Sequence, residues 1–446
     1  MMKSVFVKAR ATGTRALGVF AMLAMLAGCS TIKGWFGNKD KEGEKPTEPA
    51  ELVDFTPTVQ VSKLWSANVG DGEGRLGLWQ APAIADGRVY AAAVEGGVYA
   101  LDLQTGKEIW RYRPDKDAPE SVMPQAEIRE APEGGDETKE EKRLRKEANK
   151  LAKKRAKRKL DLRLSGGPGV GGGLVVIGTL SGKVIALDAA NGSEKWRAQV
   201  RSEIISAPAI GENLVLVRGN DGTVTAFDAG SGEQRWFAQQ DTPALTVRGN
   251  APLVLGPSVV FVGNDNGNVT ALSLSDGRLL WELPVGIPEG RSELDRMADV
   301  DGAPVLDGAT LYATSYKQET VAIDGPSGRV MWTRDNGGVG GLALSYASVL
   351  VSDRESTVWA LERYGGGALW SNPTLARRSL TAPTVQGDYA VVGDFDGYVH
   401  WLKLDDGQLA ARMRAGGEAI RAKPVVVDGI AVVQNVEGEL TAFKLD

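Results

Sequence analysis

The chain has 446 residues, 42% of them hydrophobic and 24% charged, with a formal net charge of -5. A composition of this kind supports a large soluble core and excludes a disordered polymer. The acidic balance excludes general affinity for nucleic acid, and one cysteine and one histidine exclude a disulfide framework and a zinc site.

At the N-terminus, Lys3, Lys8, Arg10 and Arg15 precede an apolar run, Leu17 to Leu26. This run is too short to cross a bilayer as a stable helix and reads as the core of a signal peptide, residues 1–28. Leu26-Ala27-Gly28-Cys29 follows and resembles the bacterial lipobox, which implies cleavage before Cys29 and lipidation of its thiol. Ser30 stands where an inner-membrane retention signal would have Asp, so the same resemblance points to the periplasmic leaflet of the outer membrane. Cleavage removes four basic residues and no acidic ones, which takes the formal charge from -5 to -9. Residues 30–60, rich in Lys, Glu, Pro and Gly, read as a flexible tether with a reach of roughly 30 Å.

From residue 61 to 446 the chain repeats. EGGVYALDLQTGKEIW, ending at Trp110, returns in copies that end at Trp196, Trp236, Trp281, Trp332 and Trp370. A seventh copy has Ala411 in place of the tryptophan, and an eighth runs off the C-terminus before one arrives. VSKLW places Trp65 ahead of the first full copy. Each unit holds four short alternating segments, the pattern of a β-propeller blade. In the first, Ala81-Pro82 opens the inner strand, RVYAAAV and GVYALD follow, a Thr105-Gly106 turn reverses the chain, and EIWRY forms the outer strand. The proline returns at Pro168, Pro208, Pro252, Pro304, Pro383 and Pro424; the sixth unit lacks it. The fold expected is all-β, an eight-bladed propeller closed by pairing the N-terminal strand, around Val61 to Val69, with the C-terminal blade. Closure removes the edges that an open array would expose. The tryptophans are expected to pack against neighbouring blades, and Asp102, Asp188, Asp228 and Asp324 to form turns.

Residues 114–164 break the period between the first and second blades. Within them Asp136 to Lys159 carries 12 Lys or Arg against 5 Asp or Glu. With no apolar stripe, this segment reads as a solvated helix or a disordered arm. A surface insertion is the plain reading; an electrostatic arm for anionic lipid or an acidic partner is the sharper one.

No catalytic, cofactor or metal site is expected. Gly167, Gly169 and Gly172 spell G-x-G-x-x-G, but LVVIGT after them is a strand and not the helix a pyrophosphate needs. His400 lies mid-strand beside Trp401, where packing is expected, and without it no triad can be assembled. Paired carboxylates fall in loops, where burial is not expected.

Two interblade loops stand out, Thr242 to Pro252 and Pro284 to Gly302. Both join an outer strand to the next inner strand, so both belong on one face, in adjacent blades. The first offers Leu245, Val247 and Arg248; the second offers Glu293, Asp295, Arg296, Asp299 and Asp301. Exposed aliphatics beside a guanidinium and carboxylates are expected to form a docking surface.

The repeat is similar to the tryptophan-docking repeat of quinone-dependent dehydrogenases. Joined to a lipobox and eight blades, with LTVRGNAP, GNDNGNV, SELDRMADVD and GDFDGYVHW, it resembles the BamB family of outer-membrane β-barrel assembly lipoproteins. The resemblance spans the whole propeller but not the charged insertion. It implies a non-catalytic scaffold of the BAM complex, anchored through lipid on Cys29, that docks on the POTRA domains of BamA and contacts the other subunits indirectly. Unfolded outer-membrane proteins are its implied substrates, either delivered or held at blade edges by β-augmentation. It also implies that Leu245, Val247, Arg248, Asp299 and Asp301 form the docking surface, with Val247 replacing the usual Leu. The alternative is a periplasmic quinone-dependent dehydrogenase, against which stand the missing vicinal disulfide and the short chain.

Overall fold

Alternation of apolar and polar residues, broken by Gly turns, organises the repeats of this chain in a computed structural model. The structure describes residues 48–114, 138–159, 162–246, 251–292, 294–317, 319–338 and 340–446, and for 152–159 the backbone alone. Cys29, Val247, Arg248 and Glu293 lie outside the described residues. So does the first half of the insertion.

The described strands form eight four-stranded antiparallel sheets. Blade 1 runs outward through Ala83–Ala85, Arg88–Ala93, Gly97–Asp102 and Glu108–Tyr112. The inner strand of each blade touches that of the next, from blade 1 round to blade 8 and back to blade 1. Blade 8 is composite: Val61–Asn68 pairs antiparallel with Glu439–Leu445, from Val61 opposite Leu445 to Asn68 opposite Glu439, with a register shift between Lys63 and Trp65. Every described strand, the closing pair included, lies between Pro49 and Asp446, a unit that holds the sheet partners of those strands.

The tryptophans join blade to blade. Each indole Nε1 donates to a carbonyl in the following blade: Trp65 to Leu103, Trp110 to Ala189, Trp196 to Ala229 and Trp236 to Leu274, at 2.8–3.0 Å. Trp281, Trp332 and Trp370 do the same to Gly325, Arg363 and Leu404, each at 2.8 Å. The ring then lies against the turn glycine of that blade. Gly106, Gly192, Gly232, Gly277, Gly328, Gly366 and Gly407 hold φ of +69° to +75°, and a Cβ on any of them would fall 2.4–2.7 Å from an indole atom. Two independent constraints therefore demand glycine there. Asp102 and Asp228 accept the backbone N–H of Thr105 (2.8 Å) and Ser231 (2.9 Å), as turn-formers do.

Across each blade the tryptophan faces an alanine: Ala100 opposite Trp110, Ala186 opposite Trp196, and so on to Ala442 opposite Trp65. Blade 7 reverses the pair, with Trp401 opposite Ala411. The large residue moves to the third strand, where it is fully buried, donates to Gln386 Oε1 at 2.7 Å, and packs edge-on against Phe443. The reason lies in the seam. A tryptophan at 411 would need the turn glycine of blade 8, but there the third and fourth strands are Glu439–Leu445 and Val61–Asn68, which no turn joins.

Part of the expected tether is docked on the ring. Ala50 N–H donates to Ala376 O (2.9 Å), Arg378 donates to Ala50 O (3.1 Å), and Arg412 donates to Val53 O (3.1 Å) while stacking over Phe55. Thr58 N–H donates to Ala410 O at 2.9 Å. These bonds run along blade 7 and correct the expectation that residues up to 60 hang as a flexible coil.

His400 is fully buried, with Nε2 3.0 Å from Asp394 Oδ2, which also accepts from Arg378 Nε at 2.8 Å. Burial pushes the His400 imidazole below its usual range, against the upward pull of Asp394. In the insertion, Lys139–Lys159 forms the helix. A capping box starts it: Thr138 N–H donates to Glu141 Oε2 (2.9 Å) and Glu141 N–H to Thr138 Oγ1 (3.3 Å).

Candidate docking face

Chain direction sorts the loops. The inner strand of every blade runs away from one face, so all links from an outer strand to the next inner strand emerge on that face, together with all links from second to third strands. Loops 242–252 and 284–302 are thus neighbours there. Leu245 is exposed on the first, and Ile287 and Leu294 on the second. Asp295 and Ser292 close a small turn, each accepting the other's N–H at 3.1 Å. Arg296 Nε donates to Gly290 O at 3.1 Å, and Lys317 reaches the carbonyls of Glu289 and Asp295. The second loop is therefore pinned from below by blade 5.

Asp299 and Asp301 differ from expectation. They are 0% and 3% exposed and lie beneath the face instead of presenting carboxylates to solvent. Backbone bonds draw them in: Val300 N–H donates to Asn264 O (3.0 Å) and Tyr316 N–H to Asp299 O (2.8 Å). Gly263 allows the approach, since a Cβ there would sit 2.5 Å from Val300 O. Their carboxylates and that of Asp265 come within 4.8 Å of one another. Arg218, also buried, contacts Asp265 at 2.6 Å and supplies positive charge to this group. Three carboxylates this close are also within reach of one hard cation. Sequence reasoning missed Asp265 and Arg218, because neither lies in the two loops; their only signal was a charged residue at the end of a strand and another just after one. The expectation that loop carboxylates escape burial is corrected by the same three residues.

At the hub, a cavity of about 390 Å³ is lined by Gln80, Ser206, Asp301, Arg421 and Lys423 among others. Lys423 Nζ donates to Leu342 O at 2.8 Å, and burial pushes its ammonium down to about 8.

The family model described as outer membrane protein assembly factor BamB matches residues 60–137, 140–372 and 354–446. The chain belongs to the BamB family. An outer membrane protein assembly factor BamB from Xanthomonas campestris is 59% identical over 430 residues, which cover 96% of this chain and 97% of the relative. The crystal structure of BamB from Moraxella catarrhalis matches with a TM-score of 0.69 at 26% identity, covering 86% of this chain and 100% of that one. A quinohemoprotein alcohol dehydrogenase from Comamonas testosteroni matches at 15% identity with a TM-score of 0.59, over 86% of this chain and 76% of the enzyme. That likeness is one of fold alone. As a BamB-family propeller, the chain is not an enzyme.

Proposed function

We propose that this protein is a lipid-anchored scaffold of the outer-membrane β-barrel assembly complex that docks on the POTRA domains of BamA through the face formed by loops 242–252 and 284–302. Lipid on Cys29 holds it to the periplasmic leaflet of the outer membrane, and unfolded outer-membrane proteins are the substrates whose insertion it assists. The observation that carries the docking assignment is the exposure of Leu245, Ile287 and Leu294 on adjoining loops above the buried Arg218–Asp265 pair. Aliphatic side chains on a rigid base lose little entropy on binding, and a few such anchors dominate an interface. Asp299 and Asp301 act in this reading as the foundation of the surface, while Val247 and Arg248 belong to its contact edge.

Titration of the full-length protein with a BamA periplasmic fragment tests the assignment. Leu245→Glu and Leu294→Glu should each weaken binding by about tenfold or more. Tyr364→Glu, in a turn on the opposite face, should leave it unchanged. Equal affinities for all three variants would remove the docking face from these loops.

A further inference from the structure

The basic helix of the insertion has no role in the docking reading, and three observations give it one. First is its charge. Lys139–Lys159 contains 12 Lys or Arg and 3 Glu, and from Lys150 onward 7 bases and no acid. The helix alone carries +9, whereas the propeller, residues 61–113 and 165–446, sums to -10. A ring that acidic is repelled by an anionic surface; the helix reverses the sign locally.

Second is its apolar content. Leu144, Ala148 and Leu151 fall on one side of the helix at i, i+4 and i+7, and Leu144 and Leu151 are 53% and 56% exposed. This refines the sequence expectation of no stripe at all. Two leucines cannot hold a helix inside a bilayer, but they suit the headgroup boundary beneath a row of cations.

Third is its place. The insertion leaves blade 1 after Tyr112 and returns at Leu164, so both of its ends lie on the loop face. Ala50, where the preceding chain joins the ring, bonds to Ala376 in the link between blades 6 and 7, which emerges on that same face. The N-terminal connection and the basic helix therefore leave the ring on one side.

We propose that Lys139–Lys159 is a peripheral arm that binds anionic phospholipid headgroups. The helix is about 31 Å long at 1.5 Å per residue, and its cations each add to attraction toward an anionic leaflet over a Debye length. It lies on the surface and does not insert.

Co-sedimentation tests this with residues 49–446, the unit that contains every described strand and the closing seam. Vesicles of phosphatidylethanolamine and phosphatidylglycerol should pellet the protein at about 0.05 M salt, and raising salt to about 0.5 M should reduce binding by about tenfold or more. Vesicles of phosphatidylcholine should not pellet it. Neutralising Lys150, Lys153, Lys154, Arg155, Lys157, Arg158 and Lys159 to Gln should reproduce the high-salt loss with an unchanged thermal melt and unchanged affinity for the BamA fragment. Equal binding to both vesicle types, or full binding by the neutralised variant, overturns the proposal. So does a result in which vesicles are ignored and the variant instead loses an acidic envelope protein.

Discussion

Trp110 and Gly192 meet across the boundary between blades 1 and 2: the indole donates to Ala189 O at 3.0 Å, and a Cβ on Gly192 would stand 2.5 Å from the ring. The same contact recurs at seven of the eight boundaries, so the repeat motif encodes the joint between blades as much as the blade itself. Gly192→Ala would meet both a positive φ and the ring. It should lower stability by about 2–4 kcal/mol, seen as a fall in the denaturation midpoint. The equivalent change at the exposed turn glycine Gly172, where nothing lies within 4 Å of a Cβ, should cost no more than its φ requires.

Ala411→Trp restores the motif in sequence but not in space. Trp401 already fills the space between blades 7 and 8, packed on Phe443, and no turn joins the two seam strands Glu439–Leu445 and Val61–Asn68. The variant should be destabilised by about 1–3 kcal/mol through overpacking; a higher melting temperature would show that the seam can accept a second indole.

The buried His400–Asp394–Arg378 group sets an acid limit. His400 is held below its usual range by burial, so below about pH 6.5 the unfolded state takes up a proton that the folded state resists, and stability falls as pH falls. Burial pushes the Asp394 carboxyl up, but His400, the Tyr398 N–H and Arg378 together hold it below its ordinary value, so its contribution is lost only at lower pH. Stability measured from pH 7 to 5 should decline in the native protein. His400→Gln should flatten that decline.

Arg218→Ala would leave Asp265 beside Asp299 and Asp301 without its guanidinium. Removal of one member of a buried pair costs about 3–5 kcal/mol, and here the damage sits directly under the loop face. Binding to the BamA fragment should fall with stability. Asp265→Asn with Arg218→Met, which removes both charges, should recover much of the stability; failure to do so would mean the pair is not the source of the loss.

Much of this was legible in the sequence. Eight units, the proline phase, the glycine turns and the split blade are local regularities, and closure follows from counting strands. The depth of Asp299 and Asp301 was not legible, because loop polarity says nothing about the backbone bonds from Asn264 and Asp299 that draw the segment inward. The Trp401–Ala411 reversal was visible only as a missing tryptophan; its compensation appears once the cross-strand register is known. Docking of residues 50–60 depends on Arg378 and Arg412, more than 300 positions away in sequence, and composition alone reads such a segment as a coil.

Photo-crosslinking in intact envelopes reads the docking face at the level of single residues. A reactive residue is placed in turn at Leu245, at Leu294 and at Thr105, which lies in a turn on the opposite face. Crosslinks to BamA are expected from the first two positions and none from the third. Crosslinks from all three alike, or from Thr105 alone, would contradict it.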